Sequence, residues 1–388
     1  MAERSMIFAA PEFRARTARL QRAMARDGLD ALLLTQPADI FYVTGFLTRF
    51  WESPARAWFV IVPGSGEPVA VIPAIGADLM GRCWISDIRT WAAPDPRDDG
   101  ISLLAASLRE TLPGTGRIGV AMAAETHLRM PLADFARLRE RLAPHRFVDG
   151  TKALHSVREI KSEAEIDKIR AACLLADRAF ARVPEFVRPG AALGDVFRSF
   201  QIALLQEGAD WVSYVAGGAG QGGYGDVISP AGPDPIMPGD LVMLDTGAVR
   251  DGYFCDFDRN FSIGPASDAL RRAHDVLFAA TERALVRLRP AMTAAQAHAV
   301  MAEAIVQAGA VPLGGRLGHG LGVTLTEWPS FTPLDHTELR EGMVLTLEPG
   351  LQIAPGKIMV HEENIVLRAD GPELLSPRAP ATLPEIRL

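Results

Sequence analysis

Asp245, Asp256, His319, Glu348 and Glu362 are the residues of this chain whose types and setting most clearly imply chemistry. They stand in the segments LDTGAVRDGYFCDFDRNF, GHGLG, LEPG and HEENIVL. Four carboxylates and an imidazole gathered in one place are costly to bury unless cations neutralise them. Such a set therefore points to bound metal. Its oxygen-rich donors suit manganese, cobalt, iron or magnesium better than a thiolate-seeking ion, with zinc also open.

The elements that must position these groups are legible around them. Asp245 and Asp256 fall in two apolar strand-like runs joined by Arg250-Asp251-Gly252, a turn-forming sequence. A hairpin there brings the two carboxylates close enough to share an ion and removes the need for a proton between them. His319 is flanked by glycines, which leave room beside it, and Glu348 precedes the strand-ending Pro349-Gly350. Glu362 is expected on a strand whose alternation through Met359, His361, Ile365 and Leu367 is imperfect. Cys255 and His361, each next to an acid of the set, are expected to face the other way, and His336 reads as a solvated loop residue.

The chain as a whole has 388 residues, 48% of them apolar and 22% charged, which is ordinary globular composition and suggests two domains. Its net charge of -7 gives no reason to expect nucleic acid or anionic lipid as a partner. Cys83, Cys173 and Cys255 have neither disulfide-framework nor metal-type spacing. No run approaches the roughly 18 apolar residues a membrane span needs. The opening MAERSMIFAAPEF has too short an apolar run for a secretory signal, so a cytoplasmic location is expected.

The first part alternates helix and strand. A helix over 12–27 stops at Gly28, strands follow at 30–35, 56–63, 67–73 and 117–122, and another helix lies near 130–142. This makes a small α/β domain over residues 1–155. The remainder, 156–388, mixes helices with strands that do not follow βαβ order, and so reads as α+β. Ser162 with Glu165 caps its first long helix, a second runs near 192–208, a third starts near Ser267, and Thr293 with Gln296 caps a fourth.

In this order the metal segments resemble those of the pita-bread metallohydrolases: methionine aminopeptidase, proline dipeptidase, aminopeptidase P and the metal-free creatinase. KSEAEIDKIRAA resembles the start of their catalytic domain, and YVTGF at 42–46 their N-terminal domain. The resemblance covers nearly the whole chain. It implies a C-terminal pita-bread fold behind a creatinase-type N-terminal α/β domain, in a homodimer of the Xaa-Pro peptidase type. It further implies two divalent ions, manganese ahead of cobalt, iron or zinc. Asp256 and Glu362 would bridge them, Asp245 would complete one ion, and His319 with Glu348 the other. A metal-bound hydroxide would attack the C–N bond of a dipeptide or small amide, with Glu348 shuttling the proton.

The pattern breaks at two histidines of the peptide-cleaving members. One should precede the first metal aspartate, where this chain reads GGYGDVISP with Asp226 nearest. The other should follow the GHG histidine in a His-Glu-x-Pro context, where the chain has Thr326-Glu327-Trp328-Pro329. Asp258 replaces a usual threonine and faces the same way as Asp256. It is a candidate for holding a cationic substrate group or acting as a base, and pairing with Arg259 is the plain alternative. Asp226, Asp258, Thr326, Glu327 and Arg49 are accordingly the candidate substrate residues. Arg49 and Arg56 sit in the aromatic loop FLTRFWESPAR, which is either packing or a carboxylate-binding device. An amidohydrolase or lyase acting on a small zwitterion, and a non-catalytic binding module on the same fold, are the alternatives to a peptidase. AGGAGQGGYG at 216–225 contains a formal G-x-G-x-x-G, but no helix follows and Pro230, Pro233 and Pro235 do. It is expected to be a substrate-facing loop.

Overall fold

The computed structural model describes residues 7–53 and 57–388. The chain forms two compact units, Met1–Arg158 and Glu159–Leu388, where the sequence placed the joint at 155–156.

In the first unit, short continuous apolar runs become strands buried on both faces, as expected for the centre of a covered sheet. Six strands, β1 (Ala31–Leu34), β2 (Phe59–Pro63), β3 (Val69–Pro73), β4 (Asp87–Trp91), β5 (Arg117–Val120) and β6 (Arg146–Asp149), form one mixed sheet in the order β4-β3-β2-β1-β5-β6. Leu33, Phe59, Ile61 and Val71 from the sheet pack with Leu104, Leu108 and Leu138 from the helices Ile101–Thr111 and Leu132–Leu142. The first helix, Ala10–Asp27, ends at Gly28 in the left-handed conformation (φ 67°), with its N–H closing on the last turn.

The second unit is α+β. Both predicted capping boxes form, Ser162 with Glu165 at helix Glu163–Ala181 and Thr293 with Gln296 at helix Ala294–Gln307. Ser267 caps Asp268–Arg287. The strands are β7 (Trp211–Gln221), β8 (Asp240–Arg250), β9 (Tyr253–Phe254), β10 (Phe257–Ile263), β11 (Val311–Pro312), β12 (His319–Gly320), β13 (Glu327–Ser330), β14 (Val344–Leu347), β15 (Gly350–Ala354), β16 (Lys357–Val360), β17 (Glu363–Arg368), β18 (Gly371–Leu374) and β19 (Glu385–Ile386). They build a sheet β19-β10-β8-β7 with β9 beside β8, a sheet β13-β12-β14-β17-β18, and a small sheet β11-β15-β16.

One expectation is overturned here. Most of the glycine-rich segment is not a loop but part of the long strand β7, paired along β8 from Trp211 to Gln221. The glycines serve close approach: a Cβ on Gly217 (φ 146°) would lie 2.1 Å from the Met243 carbonyl oxygen. Among the described residues no helix is long and apolar enough to cross a membrane.

Candidate metal centre

Asp245 lies on β8, and the β8–β10 register sets it directly opposite Asp258, with Thr246 opposite Phe257. Asp256 is thus not the cross-strand partner expected from the hairpin. It occupies the break between β9 and β10, outside the paired register. Tyr214 of β7 ties the two together: its hydroxyl is 3.2 Å from both carboxylate oxygens of Asp245 and hydrogen-bonds Asp256 Oδ1. Glu362 also departs from its expected position within a strand. It sits in the break between β16 and β17, which belong to different sheets. Both breaks free a carboxylate from the fixed alternation of a strand and let it turn toward a common point.

His319 opens β12 beside Gly318 (φ 148°), where a Cβ would fall 2.3 Å from the Thr346 carbonyl oxygen. A hydrogen on His319 Nδ1 donates to the Gly320 carbonyl at 2.7 Å, leaving Nε2 as the free ligand atom. That Nε2 lies 3.2 Å from Asp256 Oδ2 and 3.5 Å from Glu348 Oε2. Glu348 follows the end of β14, its N–H donating to the Leu317 carbonyl at 3.1 Å.

All five residues line one cavity of about 530 Å³, together with Tyr214, Asp258, Arg316 and an apolar wall that includes Val227, Ile228 and Leu325. Ligand atoms of Asp256, His319 and Glu362 lie within 4.8 Å of one another. Burial, then the charges of Asp256 and Asp258, pushes the Asp245 carboxyl far above the usual range. Burial, then Asp256 and Glu348, does the same to Glu362. Asp258 is pushed up to about 8, mainly by burial, with Arg259 opposing and Glu363, Glu348 and Asp256 adding to the rise. Burial alone would lower the His319 imidazole, yet its bond to Asp256 and the charge of Glu348 hold it above its ordinary value. Glu362 Oε1 is buried with no hydrogen-bond partner. A crowded acid set with an orphaned oxygen and a pre-oriented imidazole fits a divalent cation, which would keep every carboxylate ionised.

The candidate substrate residues divide. Asp258 lines the cavity, its Oδ1 accepting from Asn260 Nδ2 at 3.3 Å. Arg259 does not hydrogen-bond that carboxylate; its guanidinium bonds the carbonyls of Asp258, Glu362 and Pro377 and the Glu363 carboxylate. Thr326 is half-buried and meets Arg316 Nη2 at 3.3 Å. Glu327 does not line the cavity and is instead ion-paired to buried Lys161 at 3.0 Å. Asp226 lies at the surface, accepting from the N–H groups of Ile228 and Ser229, while its neighbours Val227 and Ile228 line the cavity.

Arg49 belongs to the first unit and pairs with Glu52. Nearby, Phe46, Trp51 and Trp58 pack on one another at 5.1–6.0 Å; Arg56 lies outside the described residues. Cys255 and His361 are buried outside the cavity lining, and His336 is exposed. Tyr214 and Arg316 were missed from sequence. Tyr214 was hidden in a segment adjoining the glycine run, and Arg316 could have been found from its place just before GHG.

A mixed-sheet N-terminal domain ahead of a unit with this acid–imidazole cavity is the build of a metallopeptidase. The chain belongs to metallopeptidase family M24, whose model matches residues 167–369, and residues 16–160 match the creatinase/prolidase N-terminal domain. It is 30% identical to the probable dipeptidase PepE of Mycobacterium tuberculosis over 374 residues, 93% of each chain. It is 27% identical to the Xaa-Pro dipeptidase of Lactobacillus delbrueckii subsp. lactis, covering 91% of this chain and 94% of that one. The crystal structure of dipeptidase PepE from Mycobacterium ulcerans superposes with a TM-score of 0.85 at 27% identity, covering 98% of this chain and 100% of that one. The pita-bread fold and an enzymatic role follow, and these relatives favour neither the lyase nor the binding-module alternative.

Proposed function

We propose that this enzyme hydrolyses the C–N bond of a dipeptide of the Xaa-Pro type or a closely similar small amide. In this reading two divalent ions, manganese the favoured metal, are held by Asp245, Asp256, His319, Glu348 and Glu362. The observation that carries it is the convergence of these five groups on one cavity in which a buried Glu362 oxygen has no protein partner. The names of the dipeptidase relatives support a peptide as the substrate.

Bound divalent ions would supply the positive charge that acidifies a water molecule and polarises a carbonyl. Asp256, His319 and Glu362, all buried, would hold the ions together with Asp245 and Glu348 of the same cavity. Glu348 is the more accessible acid, with 22% of its side chain exposed, and its two oxygens face His319 and Arg316. It takes a proton from the attacking water and passes it to the leaving nitrogen. The water oxygen bonds to the carbonyl carbon, and the C–N bond breaks with its electron pair remaining on nitrogen. Leu313, Leu317, Leu325 and Val360 give the cavity walls suited to a small, partly apolar substrate.

Protein purified without chelator should carry close to two ions per chain and cleave Xaa-Pro dipeptides in preference to small amides and zwitterions. A chain that binds no metal even when manganese is supplied refutes the reading. The homodimer implied by the resemblance and the cytoplasmic setting expected from the sequence belong to this proposal, and sedimentation of the purified protein tests the first.

A further inference from the structure

Amide hydrolysis drives negative charge onto the carbonyl oxygen. The cavity is poorly suited to that charge on the protein side, because Asp245, Asp256, Asp258, Glu348 and Glu362 all line it. A donor that keeps its proton is needed against this background. His319 cannot serve, since Nδ1 is engaged by the Gly320 carbonyl and Nε2 faces Asp256 and Glu348. Tyr214 is engaged with Asp245 and Asp256. Among the described residues that line the cavity, Arg316 is the one arginine or lysine.

The setting of Arg316 is that of a poised donor. Its Nε is 3.3 Å from Glu348 Oε1 and its Nη2 3.3 Å from Thr326 Oγ1. A guanidinium presents five N–H donors in a rigid plane. Two of them are used in these contacts, and the Nη1 edge makes no hydrogen bond among the described residues. The side chain is 38% exposed, so the edge can reach a bound substrate. Leu313, Gly314 and Leu317 of the same loop also line the cavity, which places the arginine at its wall.

We propose that Arg316 is a catalytic residue that donates hydrogen bonds from its Nη1 edge to the substrate carbonyl oxygen as charge develops there. Its Nε meanwhile fixes Glu348 for proton transfer, and Thr326 buttresses the guanidinium. This rests on reading the cavity as a hydrolytic metal centre. It selects substrates whose scissile carbonyl faces the Leu313–Leu317 loop.

The test uses the metal-loaded full chain and the dipeptide that the wild type cleaves fastest. Arg316→Ala should lower kcat about 100- to 1,000-fold, the loss typical of removing one oxyanion donor, with a much smaller change in KM and an unchanged metal content. Added guanidinium ion should restore part of the activity, and Arg316→Lys should fall between wild type and Arg316→Ala. A kcat within about threefold of wild type at equal metal content overturns the proposal. So does a rise in KM alone, or a loss of activity that merely tracks loss of metal. A wild-type protein that holds metal yet cleaves nothing in the panel refutes the hydrolytic reading, and the proposal with it.

Discussion

Glu327→Gln separates a structural role from a substrate role for a residue that the sequence placed at the substrate. In the fold its Oε2 pairs with Lys161 Nζ at 3.0 Å, the two side chains being 5% and 2% exposed. Its Oε1 accepts from the N–H groups of Val323 at 3.0 Å and Thr324 at 3.2 Å. The amide keeps the size and can keep the bonds to Val323 and Thr324, but then it turns an NH₂ toward the ammonium. Lys161 is left with the Glu159 carbonyl at 3.5 Å. Removing one partner of a buried pair costs about 3–5 kcal/mol. With the loop bonds retained the lower end applies, about 3 kcal/mol.

Urea unfolding of the second unit reads that loss directly, while kcat of the molecules still folded should match wild type. Replacing the pair together, by Lys161→Met with Glu327→Gln, should recover most of the stability, because no charge is then stranded and the bonds to Val323 and Thr324 are kept. A loss below about 1 kcal/mol would show that the pair is not desolvated as described. A fall in kcat at an unchanged unfolding midpoint would instead make Glu327 a substrate residue.

Tyr214→Phe removes the hydroxyl shared by Asp245 and Asp256, and metal affinity should drop about 10- to 100-fold; the manganese dependence of activity measures it, and an unshifted curve refutes it. In the chelated protein the raised carboxyls of Asp245, Glu362 and Asp258 favour the protonated folded state. The Asp258 contribution is present below the ordinary carboxylate range, near pH 4, and is lost as pH rises through about 8, with Asp245 and Glu362 acting in the same direction, so Tm should fall across that window. Manganese should raise Tm and flatten the slope; a chelated protein whose Tm climbs over the same window contradicts the assignment. Gly217→Ala sets a Cβ 2.1 Å from the Met243 oxygen at φ 146°, and should cost at least about 2 kcal/mol, read as a lower urea midpoint. Wild-type stability in that variant would mean β7 does not press on β8 as described.

Much of the fold was legible because its signals are local. Apolar runs such as ALLL and FVIVP, the Ser162 and Thr293 caps and the Gly28 stop act within a few residues of themselves, and each appears where the sequence placed it. The glycine run misled because glycine permits both a loose loop and a strand pressed against its neighbour, and only the contact with Met243 distinguishes them.

The sequence by itself determined the kind of centre this chain builds. Residue types and their order specify an acid-rich set with one imidazole, and Asp258 does share the cavity with Asp256, though Asp256 reaches it from a strand break and not by alternation. Tertiary structure decided which groups meet. Register set Asp258, not Asp256, opposite Asp245, and strand breaks released Asp256 and Glu362 to turn inward. It also withdrew Glu327 into a pair with distant Lys161, and brought Tyr214 and Arg316 to the cavity. Period-two alternation carries the face of a strand but neither its register nor its end, and a buried charge finds its partner only once remote segments have packed together.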